Sequence, residues 1–153
     1  MQIKINTIRN LEIIEKELNS ISSGVMALPL DEEFEQIATN FVYNNKNIYV
    51  FIQNKELYTN LRFDSISKFT AIKNTRLDKK IDKDKKYTYN LFYISVSGII
   101  KNVREKKIID FIKQSFIQKY SGKLIEPDNK SISFSRLVYI DSEELIATEE
   151  TGI

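Results

Sequence analysis

"NIYVFIQNKELYTNLRFDS", residues 47–65, carries an apolar strand through a polar corner and into a short helix. Its core, "IYVFI" (48–52), is β-branched and aromatic throughout, which suits a pleated, half-buried surface. A corner of this kind either receives an anion at the helix start or merely redirects the chain. Just upstream, "FEQIATNFVY" (34–43) alternates, with Ile37, Thr39, Phe41 and Tyr43 on one face and Ala38, Asn40 and Val42 on the other. The four polar residues "NNKN" (44–47) between the two segments predict a hairpin.

The same reading extends in both directions. "TIRNLEIIEKELNSI" (7–21) sets Ile8, Leu11, Ile13/Ile14, Leu18 and Ile21 on one face, an amphipathic helix that Gly24 is expected to break. "GVMALPL" (24–30) reads as a short buried strand. Beyond the corner, "SKFTAIKN" (67–74) is a strand. "KNTRLDKKIDKDKK" (73–86), with seven basic and three acidic groups, reads as a solvated hairpin tip. "YTYNLFYISVSGIIKNV" (87–103) is a long strand in which Gly98 marks a bulge or a close backbone approach. Asn102 and Glu105 resemble a capping box for a second amphipathic helix, whose apolar face is Ile108/Ile109, Ile112, Phe116 and Tyr120 and which Gly122 ends. After Pro127 come two closing strands, "SISFSRLVYI" and "ELIATEE", joined at "DSE" (141–143). Seven strands and three helices in this order predict a single α+β domain over 1–153, a closed or nearly closed barrel of antiparallel strands with flanking helices.

Composition narrows the chemistry. The 153 residues are 42% hydrophobic and 29% charged, with a net charge of +2, too little for the basic footprint of a nucleic-acid binder. No apolar run is long enough for a membrane span, and the expected location is the cytoplasm. Cys and His are both absent. Thiolate nucleophiles, Ser-His-Asp triads, Cys/His zinc sites and His-ligated haem are thereby excluded. The carboxylates of "DSEELIATEE" do not follow calcium-loop spacing, so that segment reads as a solvated edge and no metal site is expected. A bound cofactor is the attractive source of reactivity.

Four stretches together resemble the pyridoxamine 5'-phosphate oxidase-like split β-barrel family of FMN-binding proteins, especially its short haem-utilisation branch. "GVMALPL" to "IATNFVYNNKNIYVFI" is similar to the family's opening strands. "ELYTNLRFDSISKFTAI" is similar to its helix-then-strand segment, where an Asn-Leu pair precedes a polar turn. "LFYISVSGIIKNV" is similar to its strand with a Gly before a helix, and "FSRLVYIDSEELIATEETG" to its closing strands. The resemblance covers residues 20–152 and implies a split barrel, a homodimer, FMN at the subunit interface and an oxidoreductase acting on a small molecule.

Carried onto this chain, the resemblance assigns Gln36, Ile37, Ala38 and Thr39 to the strand that lines the flavin and begins its phosphate site. Phe51 and Ile52 lie beside the ring system. Lys55, Glu56 and Leu57 form the corner that usually supplies Ser, Arg or Lys to the phosphate, and Thr59 and Asn60 could assist. Tyr93 stands where a polar residue of the partner approaches the ring. The chain departs from the pattern in three places. Gln36 replaces the Arg of oxidase members, only Lys55 remains basic in the corner, and Glu56-Leu57 stand where the haem branch has Arg-His. Vitamin B6 is therefore not the expected substrate, and haem degradation is disfavoured. The alternatives are a non-catalytic split-barrel binding protein with an empty or repurposed pocket and a haem-utilisation relative lacking the usual His.

Overall fold

The computed structural model describes residues 2–73, 89–121 and 134–152. Among these residues eleven elements follow one another: β1 (Ile3–Ile8), α1 (Leu11–Ser20), β2 (Ser23–Pro29), β3 (Phe34–Asn40), β4 (Val42–Asn44), β5 (Asn47–Ile52), α2 (Lys55–Asn60), β6 (Ile66–Lys73), β7 (Tyr89–Asn102), α3 (Lys106–Lys119) and β8 (Arg136–Gly152). All strand pairs are antiparallel, in the order β3-β2-β6-β7-β8-β5-β4, with β1 paired to β8. This is the expected α+β split barrel. The sequence-predicted basic tip 74–86, Gly122, Pro127 and the start of the first closing strand lie outside the described residues. No helix among those described is long and apolar enough to cross a membrane.

The sheet curls so far that its two margins, β3 and β4, are separated in sequence by Phe41 alone. Expected alternation holds across this break. Ile37, Phe41 and Tyr43 join the barrel core with Met26, Leu28, Ile48, Val50, Phe69, Ile94 and Ile140, whereas Val42 turns to a second cluster outside the barrel. That second cluster is covered by α3, through Ile112, Phe116 and Tyr120, over Tyr49, Val103 and Leu137. Helix α1 packs Ile14 and Leu18 into the same core, joined by Ile21 just past its end.

Backbone groups at the Phe41 break have no strand partner, and α3 supplies one. The Tyr120 hydroxyl accepts from the Phe41 N–H at 3.1 Å and donates to the Ser22 carbonyl, with the Phe41 carbonyl 3.0 Å away. Lys119 Nζ donates to the Phe41 carbonyl at 2.9 Å and to the Leu18 carbonyl at 3.4 Å, and lies 3.6 Å from the centre of the Phe41 ring. A buried backbone amide left unpaired is costly, so this pair of residues explains how a strand can stop for one residue and resume in another part of the sheet.

Burial pulls the Lys119 ammonium down from its ordinary 10.5 to about 8. Between these values the unfolded chain holds a proton that the folded chain has released, so stability should rise as pH climbs from about 8 towards 10. Tyr43, Tyr120 and Tyr139, all raised chiefly by burial, reverse the trend at higher pH because folding then opposes their ionisation. Thermal melts across this range should show the rise in the wild-type chain and not in Lys119→Met. An equal slope in both would reject Lys119 as its source.

Five expectations are corrected. Residues 7 and 8 end a strand, not a helix: β1 pairs along β8 from Ile3↔Gly152 to Ile8↔Ala147, and Asn10 caps α1 by accepting from the Ile13 N–H. Gly24 does not terminate α1. It sits within β2 under the Phe69 ring, where an added Cβ would come within 2.3 Å of Phe69 Cζ. The hairpin of 34–43 with 48–52 is shorter than expected, since only Val42–Asn44 pairs with β5 while Phe34–Asn40 pairs with β2. Its turn is two residues, Asn45 and Lys46, both with positive φ, as a two-residue hairpin of matching twist requires. Asn102 remains in β7, and α3 begins after Glu105 without a side-chain cap, because the Val103 N–H is still bonded to the Leu137 carbonyl.

The fifth correction concerns the closing strands, which are one. β8 pairs with β7 along nearly its whole length and uses its other edge for β5 (Arg136–Asp141) and then β1 (Ala147–Gly152). Residues 141–150 are therefore central and not an edge. "DSE" is a bulge: Ser97 faces Glu144 and Gly98 faces Ser142, which leaves Glu143 as the extra residue. Gly98 is thus both of the things its sequence suggested.

Candidate functional site

Alternation along β5 sends Ile48, Val50 and Ile52 into the barrel and leaves Tyr49 and Phe51 on the side of α3. The Phe51 ring packs against Phe116 at 5.2 Å. Between this contact, β3 and the start of α2 opens a cleft of about 870 Å³. β3 contributes Glu35, Ile37, Ala38, Thr39 and Asn40. The end of β5 contributes Phe51 and Ile52, and the corner adds Gln53, Asn54 and Leu57. α3 closes the far wall with Lys113, Phe116 and Ile117. Most of these walls are apolar, and the volume is of the size that encloses a cofactor or drug-sized molecule.

Of the residues expected at the site, the cleft gathers Ile37, Ala38, Thr39, Phe51, Ile52 and Leu57. Gln36, Lys55, Glu56, Thr59, Asn60 and Tyr93 do not line it. Gln36 pairs with Ala27 and faces out of the barrel with it. Lys55 is exposed. The corner's polar groups are largely turned on themselves: Asn54 Oδ1 accepts from the Leu57 N–H at 3.0 Å, and the Thr59 hydroxyl donates to the Lys55 carbonyl at 2.8 Å. Thr39 likewise donates to the adjacent Asn40 carbonyl at 2.9 Å.

Sequence reasoning missed the contribution of α3, having read that helix only as a core face. One signal was present. Ile117 is apolar yet falls off the buried stripe, one turn beyond Lys113, and it is half exposed. No local pattern could have indicated the second cleft, about 500 Å³, which lies beneath the N-terminal part of α3. Phe51, Tyr58, Val103, Ile109 and Leu137 form its apolar walls, and Asn102, Arg104, Lys113, Ser135 and Arg136 its polar ones. Phe51, Lys113 and Ser135 belong to both clefts. Arg136 is positioned by a bond from Nη1 to the Ser135 carbonyl at 3.0 Å and by stacking 4.6 Å from the Phe134 ring.

No protein-family model matches the sequence, and no curated protein matches it. Solved structures do. A candidate 5-nitroimidazole antibiotic resistance protein from Bacteroides thetaiotaomicron superposes with a TM-score of 0.76 over 99% of this chain and 90% of its own, at 10% identity. A candidate pyridoxamine 5'-phosphate oxidase from Corynebacterium glutamicum gives 0.65 over 95% and 98%, at 18% identity. The FAD-binding protein of Mycobacterium smegmatis gives 0.64 over 93% and 95%, at 11% identity. At such identities the likeness is one of architecture: this chain shares the antiparallel split-barrel fold of these structures.

Proposed function

We propose that this chain is a cytoplasmic flavin-binding protein, with FMN as its flavin, and that it works as a homodimeric oxidoreductase on a small molecule. The observation that carries this reading is the apolar cleft between β3, the end of β5 and α3. Its volume and its walls of Ile37, Phe51, Ile52, Leu57 and Ile117 suit a flat heteroaromatic ring. The Mycobacterium smegmatis neighbour is described as binding FAD, a ligand with the same ring. Once bound, a flavin supplies the electron transfer that a chain without Cys or His does not itself provide. The chain's own part is to position the ring, exclude water from one side of it and leave the other side for a substrate.

A second copy is supported by the outer face of β2, β6 and β7. Val25, Ile66 and Ile72 are exposed there, and Phe34 at the margin is exposed as well. Ile72 pairs directly with Tyr93, so the tyrosine shares this face. Tyr93 is thereby available to a partner's cleft and not to its own.

Titrating the purified apo-protein with FMN should quench flavin fluorescence in a saturable, one-per-chain manner, with sedimentation giving the mass of a dimer. Ile117→Glu places a charge against the ring at a half-exposed position that the fold tolerates. It should weaken binding at least about tenfold, or about 1.4 kcal/mol. A folded protein that takes up no flavin would overturn this reading in favour of a non-catalytic binding protein.

A further inference from the structure

The flavin reading leaves one question of charge. An FMN phosphate carries nearly two negative charges and is held by charge-assisted bonds from Arg or Lys. The corner at 53–60 contributes no cationic side chain to the cleft: Lys55 is not among its lining residues, Glu56 adjoins it, and Asn54 Oδ1 and the Thr59 hydroxyl are bonded within α2. The cations stand on the opposite side. Lys113 lines both clefts, and Arg104 and Arg136 line the second, whose wall holds no carboxylate among the described residues. None of the three forms an ion pair among the described residues.

Resting on the flavin assignment above, we propose that the anionic end of the flavin is held from α3 and the start of β8, by Lys113 with Arg104 and Arg136, and not by the 53–60 corner. The two clefts divide the work. The first offers apolar walls for the ring, and the second, joined to it through Phe51, Lys113 and Ser135, offers positive charge together with the polar groups of Asn102 and Ser135. Arg136 is the best prepared of the three, because its guanidinium is already oriented by the Ser135 carbonyl and the Phe134 ring.

Riboflavin, which has the ring but no phosphate, provides the test. Fluorescence titrations should show FMN binding the wild-type protein at least about tenfold more tightly than riboflavin. In the Arg104→Gln/Lys113→Gln/Arg136→Gln variant the ratio of the two affinities should fall to nearly one. All three side chains are exposed, so the variant should keep its fold, and circular dichroism checks this. Lys55→Gln should retain the wild-type preference. A preserved FMN preference in the triple variant, or its loss in Lys55→Gln, would return the phosphate to the corner while leaving flavin binding intact. Failure of the wild-type protein to bind either flavin would instead remove the flavin assignment and this one with it.

Discussion

Alanine in place of Gly98 is expected to destabilise the protein by at least about 3 kcal/mol, at the upper end of what overpacking costs. A Cβ there would lie 2.0 Å from the Asp141 carbonyl oxygen and 2.7 Å from its carbon. Both are backbone atoms, so no side-chain rotation relieves the clash. Nor can β8 withdraw easily, because Asp141 is paired with Asn47 of β5 and the Ser142 N–H donates to the Lys46 carbonyl at 3.2 Å. The alternative is to open the β7–β8 ladder at its bulge, and that ladder is the longest in the sheet. A domain of this size has only about 5–15 kcal/mol of stability to lose. Urea unfolding followed by circular dichroism should show a much lower midpoint, or no folded baseline. A wild-type midpoint with an unchanged slope would contradict the close approach of the two strands.

The second large effect is expected from removing a single oxygen. Tyr120→Phe keeps the ring that packs on Phe116 at 5.9 Å but deprives the Phe41 N–H and the Ser22 carbonyl of their partner. The Phe41 carbonyl retains Lys119. Leaving the buried Phe41 N–H unsatisfied costs about 1–3 kcal/mol, while the carbonyl of exposed Ser22 can turn to water, so a loss of about 2 kcal/mol is expected, or roughly 4–8 °C in Tm. Calorimetry would measure it. A fall of less than about 2 °C would mean that water or a rearranged backbone satisfies these groups as well as the hydroxyl does.

The parts of this fold that were legible in the sequence are those fixed by local pattern. The alternation of 34–43, the polar corner after Ile52, the stripe of α3 and the irregularity at Gly98 all follow from residue spacing. What was hidden is decided by distant partners. "IKINTI" has the alternation of a strand, but Ile3 and Ile5 stay exposed, and only pairing with the far end of β8 makes it one. "DSE" has turn chemistry, yet ladders on both sides of β8 carry it straight through and turn the surplus residue into a bulge. The candidate site divides similarly. Its β3 and β5 walls could be placed by resemblance, whereas Lys113, Arg104 and Arg136 come from three segments with no common motif and meet only once α3 has packed on the second cluster.

The one-residue passage at Phe41 leaves the barrel no slack. Most connections between strands can lengthen by a residue at little cost, since surplus chain loops into solvent. Here a single insertion would reverse which side chains of β4 point inward, moving Tyr43 out of the barrel and Val42 into it, while β3 stayed in phase. Length variation among proteins built on this plan should therefore be sparse at that junction, however freely it accumulates in their other loops.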